Sequence, residues 1–382
     1  MTGAPPVDAP PVDVVCLGES MVTFLPSRPG RLADAPSFAR TIGGAESNVA
    51  CALAAAGHRA KWVSRVGADG FGDHLVEAIG AYGVDVSAVG RDPERPTGIY
   101  FRTATDRATA GHEVAYYRAG SAASAMSPTT VPYDSVVDGR VLHLSGITAA
   151  LSDDCLALTR SLTAPRAGRP LVSFDVNFRA GLWRDAAAGG RVLLELARGA
   201  TVVFVGEDEA EEAWGVCGAA AVRAALPEPG VLVVKRGAAG AVVFERRATH
   251  PGGAGSDLRA NHPGGAGTDT VTTVPAPRVD VVAAVGAGDA FAAGFLSGTL
   301  RGLPVRDRIR HGHLMAAAAL TEPGDLGVPP ARHPATTPHG AASRRSSWIA
   351  HADRLVALDD EGWGRLHLGP GWTGEDQEVR TP

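Results

Sequence analysis

Short apolar runs, each followed by a helix-forming stretch, recur through most of this 382-residue chain, and that alternation limits its fold more than any other feature. Val12-Asp-Val-Val-Cys-Leu17, Lys61-Trp-Val-Ser-Arg-Val66, Val141-Leu-His-Leu144, Leu171-Val-Ser-Phe174, Val202-Val-Phe-Val205 and Val231-Leu-Val-Val-Lys235 read as strands. Gly240-Ala-Val-Val-Phe244 follows as another, and helices are expected at 47–57, 70–82, 152–164, 185–198, 207–225 and 309–320. A strand buried on both faces shows no polar alternation, so these runs point to a mostly parallel central sheet with helices on both faces. In such a sheet ligands bind outside the carboxyl ends of the strands.

Composition agrees with one α/β domain. The hydrophobic fraction is 45% and the charged fraction 20%, enough for a sizeable core. A formal net charge of −5 gives no reason to expect nucleic-acid or membrane-surface partners. No apolar stretch reaches the roughly 18 residues of a bilayer span. Residues 1–11 carry no apolar signal core, so a disordered leader and a cytoplasmic location are expected. Cys16, Cys51, Cys155 and Cys217 form no C-x-x-C pair and read as free thiols.

Three further segments stand out. Alternating residues at 97–118, with 21–25 and 37–42, suggest a small antiparallel flap at the mouth of the main sheet. His250-Pro-Gly-Gly-Ala-Gly-Ser-Asp257 recurs as His262-Pro-Gly-Gly-Ala-Gly-Thr-Asp269, inside a Gly-rich loop insertion at about 247–270. Residues 331–382 show no clear periodicity and are expected to form an irregular tail, leaving 12–330 as the folded domain.

The segment Val279-Asp-Val-Val282 runs into Gly286-Ala-Gly288, and Asp289 then opens an apolar, small-residue helix. Amides at a helix N-terminus make an anion site. A carboxylate beside that site is explained if it takes a proton from a hydroxyl attacking a phosphoryl group. Read alone, the word allows equally a Gly-rich turn capped by Asp. The chain has no G-x-x-x-x-G-K-[ST] loop, no H-E-x-x-H and no G-x-S-x-G, and Phe291 replaces the third glycine of G-x-G-x-x-G.

Gly286-Ala-Gly-Asp-Ala-Phe-Ala-Ala-Gly-Phe295 resembles the C-terminal signature of the ribokinase-like (PfkB) sugar kinases, and Ile42-Gly-Gly-Ala-Glu-Ser-Asn-Val-Ala-Cys-Ala-Leu53 resembles their N-terminal one. Within that family Thr97-Gly-Ile-Tyr-Phe-Arg102, Tyr116-Tyr-Arg-Ala-Gly-Ser121, Leu142-His-Leu-Ser-Gly-Ile-Thr148 and Phe174-Asp-Val-Asn-Phe-Arg-Ala-Gly-Leu-Trp183 are similar to 2-keto-3-deoxygluconate kinases. The resemblance implies a ribokinase-like fold with a β flap, through which the chain could form homo-oligomers. It also implies ATP-dependent phosphorylation of a small sugar acid, with Mg²⁺ as cofactor.

By the same resemblance Asp289 is the general base, and the amides of Gly286, Ala287 and Gly288 hold phosphoryl charge. Gly43, Gly44, Asn48, Tyr100, Tyr116, Arg118 and Arg179 would line the sugar-acid pocket, and arginine suits a carboxylate. Glu209 would organise the metal shell. Lys235, Gly237 and His313 would meet the nucleotide. The residues alone also allow Tyr100 and Tyr116 as ordinary strand positions and Arg179 as a partner of Asp175 or Asp185. Glu209 could equally open a solvated acidic helix, and His313 could lie at the surface.

The chain departs from the family where Ala283-Ala284 replaces Asp-Thr and Gly206 replaces the Asn of N-x-x-E. Alanine offers no side-chain oxygen, so little dependence on a monovalent cation is expected. Alternatives left open are a kinase of the same fold acting on fructose, ribose or 5-keto-2-deoxygluconate, and an inactive sugar-acid or nucleotide sensor.

Overall fold

Alternate residues of one strand serve two cores. In β10 (Val202–Gly206) Val202 and Phe204 pack on one side of the sheet, while Val203 and Val205 pack on the other. The neighbouring strand β11 (Val231–Lys235) repeats this with Val231 and Val233 against Leu232 and Val234. Burying each such side chain contributes about 1.5–3 kcal/mol, which is what an uninterrupted apolar run offers a two-sided sheet.

The computed structural model describes residues 12–103, 113–246, 268–327 and 348–373. The leader and nearly all of the Gly-rich repeat insertion lie outside the described residues. The remaining central strands are β1 (Val12–Leu17), β4 (Ala60–Gly67), β5 (Val89–Asp92), β8 (Gly139–Ser145), β9 (Leu171–Asp175), β12 (Ala241–Arg246) and β13 (Asp269–Val274). Their order is β13-β12-β11-β10-β9-β8-β1-β4-β5. The strands from β11 through to β5 pair in parallel, and β12 and β13 turn back antiparallel at one edge. The fold is ribokinase-like α/β. Strand β13 has no counterpart among the apolar runs, because three of its six residues are threonine and its Val271 and Thr273 are exposed.

A second sheet, β3-β2-β6-β7, forms the flap, from β2 (Met21–Pro26), β3 (Phe38–Gly43), β6 (Ile99–Arg102) and β7 (Val114–Tyr117). Both outer pairs are antiparallel, and the central pair β2/β6 is parallel.

Residues 348–373 correct the expectation of an irregular tail. Helical residues 348–356 bury Trp348, Ala352, Leu355 and Val356, an i, i+4, i+7, i+8 stripe. Trp348 and Trp372 stack edge-on at 5.2 Å, and Trp363 Nε1 donates to the Pro275 carbonyl at 2.8 Å. A parallel bridge joins β15 (His367–Leu368) to β14 (Arg278–Val279), the strand that leads toward Gly286. Among the described residues no helix is long and apolar enough to cross a membrane. The four cysteines are free, and only Cys217 is exposed.

Candidate active site

Gly286 turns the chain from the end of the sheet into the helix Ala287–Leu300, and does so with φ of 80°. A Cβ there would also stand 2.2 Å from the Asp325 carbonyl oxygen, so conformation and space both demand glycine. The first amides of a helix have no intrahelical acceptor and are available to an anion. Helix Ala287–Leu300 lies close against Val305–Leu320 because Gly294 admits the His311 carbonyl, 2.3 Å from where a Cβ would be. The second helix begins four residues before the expected 309.

Asp289 sits in the first turn, and its Oδ2 accepts from Asn48 Nδ2 at 2.9 Å. Asn48 is carried by the helix Ala45–Ala55. Glu46 pins the start of that helix to β8, its Oε1 accepting from Ser145 N, Ser145 Oγ and Thr148 Oγ1 at 3.0, 2.8 and 2.8 Å. Burial pushes the Asp289 carboxyl up to about 7. Asp175 adds to the rise, and Asn48, Lys235 and Arg179 oppose it.

Lys235, from the end of β11, stands beside this loop. A Cβ on Gly288 would lie 3.4 Å from Lys235 Nζ. The ammonium is paired with Asp175, at the end of β9, at 3.0 and 3.1 Å. Burial alone would lower the Lys235 pKa, but Asp175 and Glu209 more than offset it and hold the group charged. The sequence offers Asp175 only as a possible partner of Arg179. Its own role is visible only once β9 and β11 are placed on either side of β10.

Arg179 pairs with neither Asp175 nor Asp185. Its Nη1 donates to Glu209 Oε1 at 3.1 Å, while Asp185 caps the helix Ala186–Arg198. Glu209 is not a solvated helix start. Its Oε2 accepts the Gly206 amide at 2.9 Å, so the backbone supplies the hold that a side chain at 206 cannot. Burial works against the Glu209 carboxylate, but Lys235, Arg179 and that amide keep its pKa below the ordinary value.

The flap side is already internally paired. Tyr100 is buried, and its hydroxyl donates to Asp325 Oδ2 at 2.9 Å. Burial, then the Asp325 charge, raises its pKa well above normal. Tyr116 is half exposed and tilted over Tyr100, with ring centroids 5.4 Å apart. Arg118 forms an ion pair with buried Glu19, whose Oε1 also accepts from Ser121 Oγ at 2.7 Å. Gly43 and Gly44 permit close approach. A Cβ on Gly43 would stand 2.4 Å from the Tyr100 hydroxyl, and one on Gly44 2.3 Å from the Glu19 carbonyl.

Gly237 and His313, both expected to meet a nucleotide, fall differently. Gly237 opens a short exposed turn with φ of 53° just after Lys235. His313 is not at the surface. It is buried between Phe291 and Trp363, with Nε2 3.2 Å from the Val274 carbonyl oxygen, and burial lowers its pKa to about 4. Ala283 is buried against Leu320, whose carbonyl accepts its amide at 3.2 Å. Sequence reasoning missed Glu19, Arg102 and Asp325, which find their partners far away in the chain.

The profile of the pfkB family carbohydrate kinases matches residues 12–332. A 2-dehydro-3-deoxygluconokinase of Bacillus subtilis (strain 168) is 33% identical over 326 residues, 84% of this chain and 93% of that protein. One from Thermoproteus tenax is 35% identical over 236 residues, 61% of this chain and 72% of that protein. Among solved structures, a PfkB protein from Polaromonas sp. JS666 superposes with a TM-score of 0.69 at 31% identity, covering 82% of this chain and 97% of that one.

Proposed function

The chain belongs to the pfkB family of carbohydrate kinases and is a phosphotransferase acting on a sugar, and on that footing we propose that it phosphorylates 2-keto-3-deoxygluconate with ATP. The observation that carries this reading is Asp289, a carboxyl poised near pH 7 beside free helix amides and the Lys235 ammonium. In the proposed step the terminal hydroxyl oxygen of the sugar acid attacks the γ-phosphorus. The bond to the β–γ bridging oxygen breaks, ADP leaves, and Asp289 takes the hydroxyl proton. The product is 2-keto-3-deoxy-6-phosphogluconate. The amides of Ala287 and Gly288, aided by the helix dipole, would hold the charge that spreads over the phosphoryl oxygens.

Arg118 and Arg179 support an acidic substrate. Each is paired with one carboxylate, Glu19 or Glu209, and a guanidinium with five N–H donors can serve a second carboxylate at the same time.

Asp175 and Glu209 are each paired with a cation. Among the described residues no group of three or more His, Cys, Asp or Glu forms a metal cage. Mg²⁺ needs no all-protein cage, because it keeps several waters, and Glu209 would hold those waters. When bound, the ion would supply positive charge to the phosphates.

An ATP-consumption assay with 2-keto-3-deoxygluconate beside fructose, ribose and 5-keto-2-deoxygluconate tests the reading. The sugar acid should give the highest kcat/KM. A neutral sugar preferred over it would move the chain to another kinase of the fold, and turnover with none would favour a sensor.

A further inference from the structure

Residues 348–373 form a strap that lies wholly beyond residue 332, where the match to the family profile ends. The strap closes on β14. Arg278 N donates to the Leu366 carbonyl at 3.0 Å, and Asp280 N donates to the Leu368 carbonyl at 2.9 Å. His367 Nε2 lies 2.7 Å from Asp280 Oδ1, and a Cβ on Gly369 would stand 3.0 Å from Asp280 Oδ2. Three consecutive strap residues therefore surround Asp280, while the His367 and Asp280 side chains still reach solvent.

The strap also holds the helix Val305–Leu320. Arg310, fully buried, donates from Nη1 to the Val356 carbonyl at 2.9 Å and places its guanidinium 4.6 Å from the Trp363 ring. Trp363 in turn packs on His313 and donates to the carbonyl of Pro275, just ahead of β14. That helix ends at Leu320, whose carbonyl accepts from Val282 N at 2.7 Å and from Ala283 N at 3.2 Å. The chain entering Gly286 is thus anchored twice, by the strap at 278–280 and by the helix end at 282–283. Val281 and Val282 are exposed, so apolar packing does not fix their stretch and the flanking hydrogen bonds must.

We infer that Asp280 and His367 are positioning residues: their pair holds β14 in the course that aims Gly286 and the amides after it, so affinity for ATP depends on the pair and affinity for the sugar does not. The inference rests on the reading above of Gly286–Gly288 as the phosphate site. Tyr100, Tyr116 and Arg118, expected to face the sugar, belong to β6, β7 and the residue just after β7, and none of the strap contacts named here reaches them. An exposed ion pair adds little to stability, so removing it leaves the fold intact. Amides aimed at an anion are more demanding, because a hydrogen bond weakens steeply as its donor turns away.

The experiment titrates the full chain with a non-hydrolysable ATP analogue and Mg²⁺, in a double-mutant cycle of His367→Ala, Asp280→Ala and both together. Each single variant should weaken binding about 3-fold to 5-fold, the upper range of what one exposed pair supplies, and the double variant should weaken it no further. His367→Gln, which keeps an N–H donor, should recover most of the loss. Thermal unfolding and KM for the phosphorylated sugar should stay close to wild type in every variant. Unchanged analogue affinity in the single variants, effects that add in the double variant, or a sugar KM that rises as far as the analogue Kd would overturn the positioning role. A wild type that binds the analogue but phosphorylates no sugar in the panel refutes the kinase reading, while the binding cycle still decides the role of the pair. A wild type that does not bind the analogue overturns both.

Discussion

At the flap end of the site, Arg102 and Arg118 each meet one buried carboxylate, Asp325 and Glu19. At the proposed phosphoryl end, Asp175, Glu209 and Asp289 share, among the described residues, the two cations Lys235 and Arg179. Matched pairs balance the charges of this wall, so the flap end is suited to holding a shape while Arg118 keeps further N–H donors for an acidic substrate. The unmatched end leaves one carboxylate without a cation of its own, and that is Asp289. Burial and the neighbouring Asp175 then lift it to about 7, where it can both lose and accept a proton. In the proposed mechanism one end serves position and the other proton transfer.

The largest effect should come from removing the unmatched carboxylate. Asp289→Asn keeps the shape and the Asn48 neighbour but cannot accept a proton, so kcat should fall by about 10²–10⁴-fold. Thermal unfolding should be little changed, because no ion pair is broken. A variant retaining most of its turnover would put the base elsewhere. The flap end should respond the opposite way. Glu19→Gln strands the Arg118 guanidinium in a buried setting and should cost about 3–5 kcal/mol in denaturant unfolding. A loss of activity with no loss of stability there would break the contrast. The smallest effect concerns monovalent cations. Ala283 is buried and offers only a methyl group, so replacing a bulky cation by K⁺ should leave the rate unchanged. A several-fold stimulation would mean that backbone oxygens near the loop suffice to bind the ion.

Much of this organisation is legible in the chain itself. Strands buried on both faces announce themselves as apolar runs, and Gly286–Asp289 and Gly43–Asn48 carry local words that survive without context. The pairs that shape the site are not local. Arg102 and Asp325 are 223 residues apart, and Lys235 and Asp175 are 60 apart. No spacing rule joins such residues until the sheet brings them together. The C-terminal segment failed for a different reason. Its Trp348, Ala352, Leu355 and Val356 stripe has helical periodicity, but it spans barely two turns amid Arg, Gly and Pro. Buried His313 shows the same limit, since burial of one polar residue in an apolar helix face depends on a neighbour such as Trp363 that the sequence places far away.

The contrast between the two ends rests on the state of Asp289, and the pH dependence of kcat/KM for the sugar acid reads it most directly. A base works only when deprotonated, so activity should rise with pH through a midpoint near 7. Asp175→Asn, which removes the neighbouring negative charge, should move that midpoint to lower pH. A wild-type profile that stays flat across this region, or a midpoint that Asp175→Asn leaves in place, would contradict the account.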